Sequence, residues 1–76
     1  DRHTLLMHVI NSVGDTLDLA SARAILSNLV QSQAVERNAA QTLLWAVSDN
    51  SLRSVPKDRR DDLRASIFKQ VLIHLV

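Results

Sequence analysis

Residues that end helices or make tight turns are scarce, and this scarcity constrains the fold more than any other feature. The chain of 76 residues contains one glycine, Gly14, and one proline, Pro56. Tight β-hairpins favour Asn-Gly or Asp-Gly turns, and neither dipeptide occurs. Strict alternation of apolar and polar residues, which marks half-buried strands, is missing as well. The sequence therefore predicts an all-α fold with no β-sheet, in which Gly14 ends the first helix in a left-handed conformation.

Apolar residues recur instead at the spacing of an α-helix in four separate segments. The predicted helices cover about residues 3–13, 18–31, 34–48 and 57–75. Four amphipathic helices with mostly short connections bury their apolar stripes best against one another. We expect a small four-helix bundle or an orthogonal helical array. The residues expected to face its core include Leu6, Ile10, Val13, Ala22, Leu26, Leu29, Ala40, Leu43, Val47, Leu63, Ile67, Phe68 and Leu72.

The composition indicates one small globular domain over residues 1–76. Hydrophobic residues make up 46% and charged residues 22%, a balance typical of folded rather than disordered chains. There is no cysteine, so no disulfide reinforces a core of this size; this is compatible with a cytoplasmic protein but leaves the compartment open. The chain starts at Asp1 and ends on the apolar VLIHLV, and we expect it to be a domain excised from a longer chain.

Charge and hydropathy argue against two classes of partner. Nine Lys or Arg residues against eight Asp or Glu residues give a net charge of +1, which is low for a dedicated nucleic-acid binder. No apolar run approaches the roughly 20 residues that a membrane-spanning helix needs. We therefore expect no membrane span.

The most charged stretch is SVPKDRRDDLRASIF, residues 54–68, which surrounds Pro56. Its aspartates are interleaved with its basic residues, and they cancel the field that would attract a polyanion. The order of residues is typical of a helix start, with Pro56 in the first turn and Asp58 as a cap. Asp61 and Arg64 are spaced to form an exposed ion pair. The stretch predicts a solvated helix start rather than a phosphate-binding arm.

The sequence offers no constellation for catalysis, for a metal or for a cofactor. No serine lies in a Gly-x-Ser-x-Gly elbow, and a single glycine cannot build a phosphate-binding loop. His3 and His8 are five residues apart, whereas a helical ligand pair needs three or four, and His74 has no acidic neighbour. We predict a protein that is not an enzyme and that has no cofactor, metal or small-molecule substrate.

A nucleic-acid interface is the first alternative. Arg37 and Asn38 lie on the outward face of the third predicted helix, and both are residue types that contact bases or phosphates. The basic residues between Arg53 and Arg64 would add to this surface, Arg59 and Arg60 among them. The same residues would also serve as an ordinary solvated helix face. DNA or RNA binding therefore stays an open alternative.

Three apolar residues lie away from the predicted core. Trp45 falls on the polar face of the third helix beside Gln41 and Thr42, where either other helices cover it or it anchors a partner. Ile73 and Val76 make the last turn of the fourth helix apolar on nearly every side. Such an end is buried centrally, shared with another chain or covered by residues beyond it.

These observations favour a non-catalytic interaction module that docks a protein partner or self-associates. Homodimerisation is the preferred form, because symmetric dimers are the commonest assembly and relieve the small core. The predicted contacts are Trp45, Gln41, Thr42, Ile73 and Val76. A purely structural subdomain of a larger protein is the remaining alternative.

Overall fold

Four α-helices form the regular structure of the protein, which a computed structural model describes over residues 1–76. In chain order they are α1 (Arg2–Ser12), α2 (Leu19–Gln31), α3 (Arg37–Ala46) and α4 (Lys57–Leu75). The chain contains no strand, so the prediction of an all-α fold is confirmed. None of the helices combines the length and the apolar character that crossing a bilayer requires.

Two of the helices begin with an aspartate cap. The Asp1 carboxylate accepts a hydrogen bond of 2.8 Å from the backbone N–H of Thr4, and the Asp18 carboxylate accepts one of 3.3 Å from that of Ser21. The other two starts have no side-chain cap. Pro56 is itself the cap residue of α4, and Asp58 lies in the first turn instead of capping it. There its negative charge still favours the positive end of the helix dipole.

The end of α2 shows why α3 is shorter than predicted. Gln33 takes the left-handed conformation (φ 61°), its N–H bonds the Val30 carbonyl at 3.0 Å, and the Ala34 N–H bonds the Leu29 carbonyl at 2.9 Å. This pair of bonds is a Schellman motif, which ends a helix firmly. Ala34 and Val35 are buried in the connection, so α3 begins only at Arg37.

The end of α1 differs from the expectation in a similar way. The residue that stops the helix is Val13, which is extended (φ −74°, ψ 124°) and buried. Gly14 has no positive φ, so the predicted left-handed glycine is wrong. Burial of the Val13 side chain fixes the chain direction here, and the backbone freedom of glycine is not needed.

The helices pack as two pairs around one core. The α1 and α4 helices run antiparallel: Arg2 donates to the Leu75 carbonyl (3.3 Å) at one end, and Lys69 donates to the Gly14 carbonyl (3.0 Å) toward the other. The α2 and α3 helices form a helical hairpin across the short connection 32–36. The core between the pairs consists of Leu6, Ile10, Val13, Leu17, Ala22, Leu26, Leu29, Ala34, Val35, Ala40, Leu43, Val47, Ala65, Phe68 and Leu72.

One charged side chain is buried with this core. Arg64 is 2% exposed, and its guanidinium donates to the Val47 carbonyl (2.7 Å) and the Leu17 carbonyl (3.0 Å). It also forms ion pairs with Asp49 (2.6 Å) and with Asp61 one turn earlier in α4. Because Val47 ends α3 and Leu17 precedes α2, this one residue joins three helices.

The connection between α3 and α4 is held by Arg60, which lies one turn before Arg64 on the same face of α4. Arg60 donates from Nε to the carbonyls of Leu52 (3.0 Å) and Val55 (2.9 Å), and from Nη2 to that of Arg53 (3.3 Å). These carbonyls have few backbone partners in an irregular segment, so an arginine replaces the missing donors. Leu52 belongs to this connection, and its side chain is buried.

The prediction of a solvated start for α4 is therefore wrong for Arg64. Leu63, which the apolar pattern assigns to the core, is 37% exposed, whereas Arg64 is buried. Phe68 and Leu72 follow Arg64 at intervals of four residues and are fully buried, so they set the helical phase that turns Arg64 inward. The aliphatic stem of the arginine packs where a leucine was expected.

Replacing Arg64 by methionine is expected to destabilise the domain by about 2–5 kcal/mol, because two backbone carbonyls lose their donor on folding. Urea unfolding at one fixed protein concentration measures this change. The matched control is Arg59→Met on the exposed face of the same helix, which is expected to stay within about 0.5 kcal/mol of wild type. Equal stability of the two variants would show that the Arg64 hydrogen bonds contribute nothing net.

The cap of α2 predicts a loss of stability in acid. Hydrogen bonding by Ser21, mainly by its side chain and also by its backbone N–H, lowers the pKa of the Asp18 carboxyl from its ordinary value of 3.8. A carboxyl whose pKa is lower in the folded state contributes stability above pH 3.8 and loses it as the pH falls through the folded pKa. Urea midpoints measured across this range are expected to fall less steeply for Asp18→Asn than for wild type. Parallel curves would contradict this assignment.

Candidate functional site

Large apolar side chains exposed on the surface mark the candidate contact sites. They are Met7 at 36%, Trp45 at 60%, Leu63 at 37%, Ile73 at 49% and Val76 at 42% exposure. Single exposed apolar residues are common in small proteins, so their grouping matters more than their number.

Three of them share one seam. Helix α1 lies along α4, with Leu6 and Ile10 turned into the core, and Met7 falls on the outer side of that contact. On α4, Leu72 is fully buried, whereas its neighbour Ile73 is exposed, and Val76 lies beside Leu6 of α1. The antiparallel packing brings Met7 level with the last turns of α4. We call the surface formed by Met7, Ile73 and Val76 the α1–α4 seam.

The last turns of α4 are apolar on both sides of the helix. Leu72 is fully buried, Val71 and Leu75 are half-buried against the core, and Ile73 and Val76 are exposed. A helix that is apolar on nearly every side is normally covered on nearly every side. The seam is thus an apolar helix face that the monomer leaves uncovered.

Trp45 lies on the other helix pair and is exposed, so the explanation that other helices cover it is wrong. Its backbone is held firmly: its carbonyl accepts hydrogen bonds of 2.7 Å from the hydroxyls of both Ser48 and Ser51. Gln41 is exposed one turn earlier in α3. The Thr42 hydroxyl bonds back to the Asn38 carbonyl at 3.0 Å. The tryptophan ring is therefore presented to solvent from a fixed helix end.

The structure does not bring the five predicted contact residues into one surface. Trp45 lies at the end of α3, and the bond from Arg64 to Val47 places that end beside the first turns of α4. Ile73 and Val76 lie at the other end of α4, about 13 Å farther along its axis. Two separate surfaces result, one for each helix pair.

The residues of the nucleic-acid alternative are also divided between two ends of the molecule. Arg37 and Asn38 are exposed at the start of α3. Arg59 is exposed at the start of α4, which lies beside the end of α3 rather than its start. Arg60 is half-buried and its guanidinium already donates to three carbonyls of the preceding loop. The two pairs do not form a continuous basic surface.

The three histidines are the remaining candidate ligands for a metal. His3, His8 and His74 are all exposed. No group of three or more His, Cys, Asp or Glu side chains is placed to hold a metal ion.

One further surface feature is not apparent from the amino-acid sequence. An open groove of about 530 Å³ runs between α2 and α3, with an arginine from each helix on its walls. We call it the arginine groove; its lining is Arg23, Leu26, Ser27, Val30, Gln31, Arg37, Ala40, Gln41 and Leu44. The signal that could have indicated it is the pair Arg23 and Arg37, neither of which has an acidic residue three or four positions away.

Comparison with known proteins identifies the family of this helical domain. The sequence model of the CtsR C-terminal dimerization domain matches residues 1–73, nearly the whole chain. The chain belongs to the CtsR C-terminal dimerization domain family. The prediction of a homodimerisation module is thereby confirmed. The matched family is a dimerization domain of a transcriptional regulator, and it is not an enzyme family.

Two CtsR proteins illustrate this similarity. The "Transcriptional regulator CtsR" of Lactiplantibacillus plantarum is 29% identical over 75 residues, which are 99% of this chain and 48% of that protein. A crystal structure of CtsR in complex with a 26bp DNA duplex matches with a TM-score of 0.90 at 20% identity, over 99% of this chain and 49% of that one. The fold is therefore that of the matched part of CtsR, and the chain spans about half the length of the relatives it matches.

The exposure of Trp45 predicts its fluorescence. Emission of the sole tryptophan is expected at the long wavelengths of a hydrated indole, and acrylamide is expected to quench it efficiently, because 60% of the residue is exposed. The position of the emission maximum is also expected to stay constant as the protein is diluted, since Trp45 is far from the α1–α4 seam. A maximum that shifts to longer wavelength on dilution would place Trp45 in the dimer interface.

Proposed function

We propose that two copies of this domain associate through the α1–α4 seam and thereby join two copies of a transcriptional regulator. The observation that carries the proposal is the group Met7, Ile73 and Val76: three exposed apolar residues on one helix pair of a dimerization-family member. Burial of apolar surface is the main favourable term in such associations.

The seam suits a symmetric interface. In a twofold dimer the same patch faces itself, and apolar side chains are self-complementary without any need for opposite charges. Ile73 is the most exposed member of the seam, and we therefore put the proposed axis near it. Toward the start of α4 the same side of the helix becomes polar, with Lys69 and Asp62. The apolar contact therefore has a defined end.

We further propose that this domain makes no DNA contact and no catalytic contribution of its own. Its net charge is +1, and Arg60 and Arg64 are engaged with backbone carbonyls and aspartates. Its role in the regulator is geometric: dimerisation places two DNA-reading units at a fixed separation, as in dimeric regulators that bind two half-sites. The CtsR relatives, one named as a transcriptional regulator and one crystallised with DNA, support this role.

A charge placed in the seam is expected to separate the dimer. Ile73→Glu would bury two carboxylates beside each other at the proposed axis, so the dimer dissociation constant is expected to rise at least about a hundredfold, corresponding to about 2.7 kcal/mol. Sedimentation velocity across a concentration series measures the change, and circular dichroism checks that the helices remain.

The matched control is Leu63→Glu, an exposed leucine on another side of the same helix and about 15 Å from Ile73. It introduces the same charge into α4 and is expected to leave the dimer unchanged. Dissociation by Leu63→Glu but not by Ile73→Glu would place the interface elsewhere on α4. A wild-type domain that remains monomeric at high concentration would overturn the proposed self-association itself.

A further inference from the structure

We propose that the arginine groove between α2 and α3 binds an acidic amphipathic helical segment of a partner protein. The groove shares no residue with the α1–α4 seam, so this second interaction goes beyond dimerisation. Its volume of about 530 Å³ lies within the range of about 300–1,000 Å³ that ligand-binding clefts have.

The floor of the groove is apolar and continuous with the core. Leu26 and Ala40 are buried, whereas Val30 and Leu44 are half-buried and pack against the core from the groove side. Polar residues of both helices form the rims: Ser27 and Gln31 lie on α2, and Gln41 lies on α3. An apolar floor between polar rims is the form in which proteins hold one face of an amphipathic helix.

The length of the groove fits a short helical segment. Along α2 it extends over the nine residues from Arg23 to Gln31, a rise of about 12 Å. This corresponds to roughly two turns of a docked helix, whose apolar residues at positions i, i+3 or i+4, and i+7 would reach the floor.

The charges of the groove select an acidic occupant. Arg23 lies on the α2 wall and Arg37 on the α3 wall, and no acidic residue lines the groove. Neither guanidinium takes part in an ion pair within the chain, where the two ion pairs both belong to Arg64. Glu36 is next to Arg37 in sequence but forms no ion pair with it. Two unpaired guanidiniums are well suited to carboxylates, which they bind through two parallel hydrogen bonds.

The arginines also set the spacing of those carboxylates. Because α2 and α3 form a hairpin, Arg37 lies beside Val30 near the connection, whereas Arg23 lies toward the other end of α2. The two cations therefore mark opposite ends of the groove. An occupant with one acidic residue near each end, and apolar residues between them on one face, would satisfy both.

Trp45 extends this surface at its open end. It follows Gln41 by one turn on α3 and directly follows Leu44, the last lining residue of that helix, so it lies on the same side of α3 as Gln41. Tryptophan is enriched among the residues that dominate binding energies. The predicted contacts Trp45 and Gln41 thus belong to this surface, whereas Ile73 and Val76 belong to the seam.

Nucleic acid fits the groove less well than a helical segment. A phosphate backbone would use Arg23 and Arg37 but would leave the apolar side chains of Val30 and Leu44 facing polar sugar and phosphate. A second copy of the chain is a poor occupant for another reason: a twofold interface requires the same patch on both copies, and two groups of unpaired arginines repel each other.

The test is a titration of the ¹⁵N-labelled domain with a designed helical peptide that carries leucines on one face and a glutamate near each end. Amide signals of Ser27, Gln41 and Leu44 are expected to shift, and the emission of Trp45 is expected to change. The double reversal Arg23→Glu and Arg37→Glu is expected to weaken binding at least about tenfold. The same variant is expected to bind a peptide in which lysines replace the glutamates, so charge complementarity is tested in both directions.

Arg53→Glu with Arg59→Glu is the matched control, because it changes the net charge equally with exposed arginines outside the groove. It is expected to bind the acidic peptide as wild type does. Equal binding of the acidic and basic peptides to wild type, shifts elsewhere on the domain, or no binding at all would overturn the proposal. So would a short DNA duplex that shifts the same amides more strongly than the peptide.

The oligomeric state separates this proposal from the proposed function. The groove reversal is expected to remain a dimer in sedimentation, and a monomeric reversal variant would show that the groove is the dimer interface. A monomeric wild type that still binds the acidic peptide in the groove would overturn the dimer proposal alone.

Discussion

A guanidinium that loses its water on folding needs a partner for its donors, and Arg64 finds partners in the α1–α2 connection, in the α3–α4 connection and in its own helix. It bonds the carbonyl that ends α3, the carbonyl that precedes α2, and two aspartates. The Leu17 N–H in turn donates to the backbone carbonyl of Asp61 at 3.0 Å, so both backbone groups of Leu17 are bonded to α4. Aliphatic packing alone leaves helices free to slide, whereas these directional bonds fix one register.

The helices were predictable and the residue that fixes their register was not. An apolar period of 3.6 is a property of neighbours in sequence, so it identifies the four helices directly. Burial of Arg64 depends on carbonyls 17 and 47 positions away in the chain. The local pattern predicts Leu63 for the core, yet the phase of Phe68 and Leu72 turns its neighbour Arg64 inward. Helix α3 begins later than the sequence predicts for a similar reason: tertiary burial of Ala34 and Val35 outweighs helical propensity.

The candidate surfaces are likewise only partly predictable from the sequence. Some contact residues can be recognised in the sequence because they are apolar but lie away from the core-facing stripe of their helix. They are Ile73, Val76 and Trp45. Whether they lie together depends on the helix packing, which places them at opposite ends of α4. The arginine groove was not recognisable, since Arg23 and Arg37 are 14 residues apart and become two walls of one cleft only when α2 and α3 form their hairpin.

The separation of the two surfaces has a physical consequence for the assembly. A domain of 76 residues buries a small core, and the proposed pairing through the apolar seam would enlarge that core across two chains. Because the seam uses α1 and α4, the α2–α3 pair of each copy stays accessible, and a dimer would display two arginine grooves related by twofold symmetry. A partner that is itself dimeric would then engage both grooves, and its second contact would form at the high effective concentration that linkage creates. Dimerisation would in this way strengthen the capture of an acidic partner without adding any contact to the groove itself.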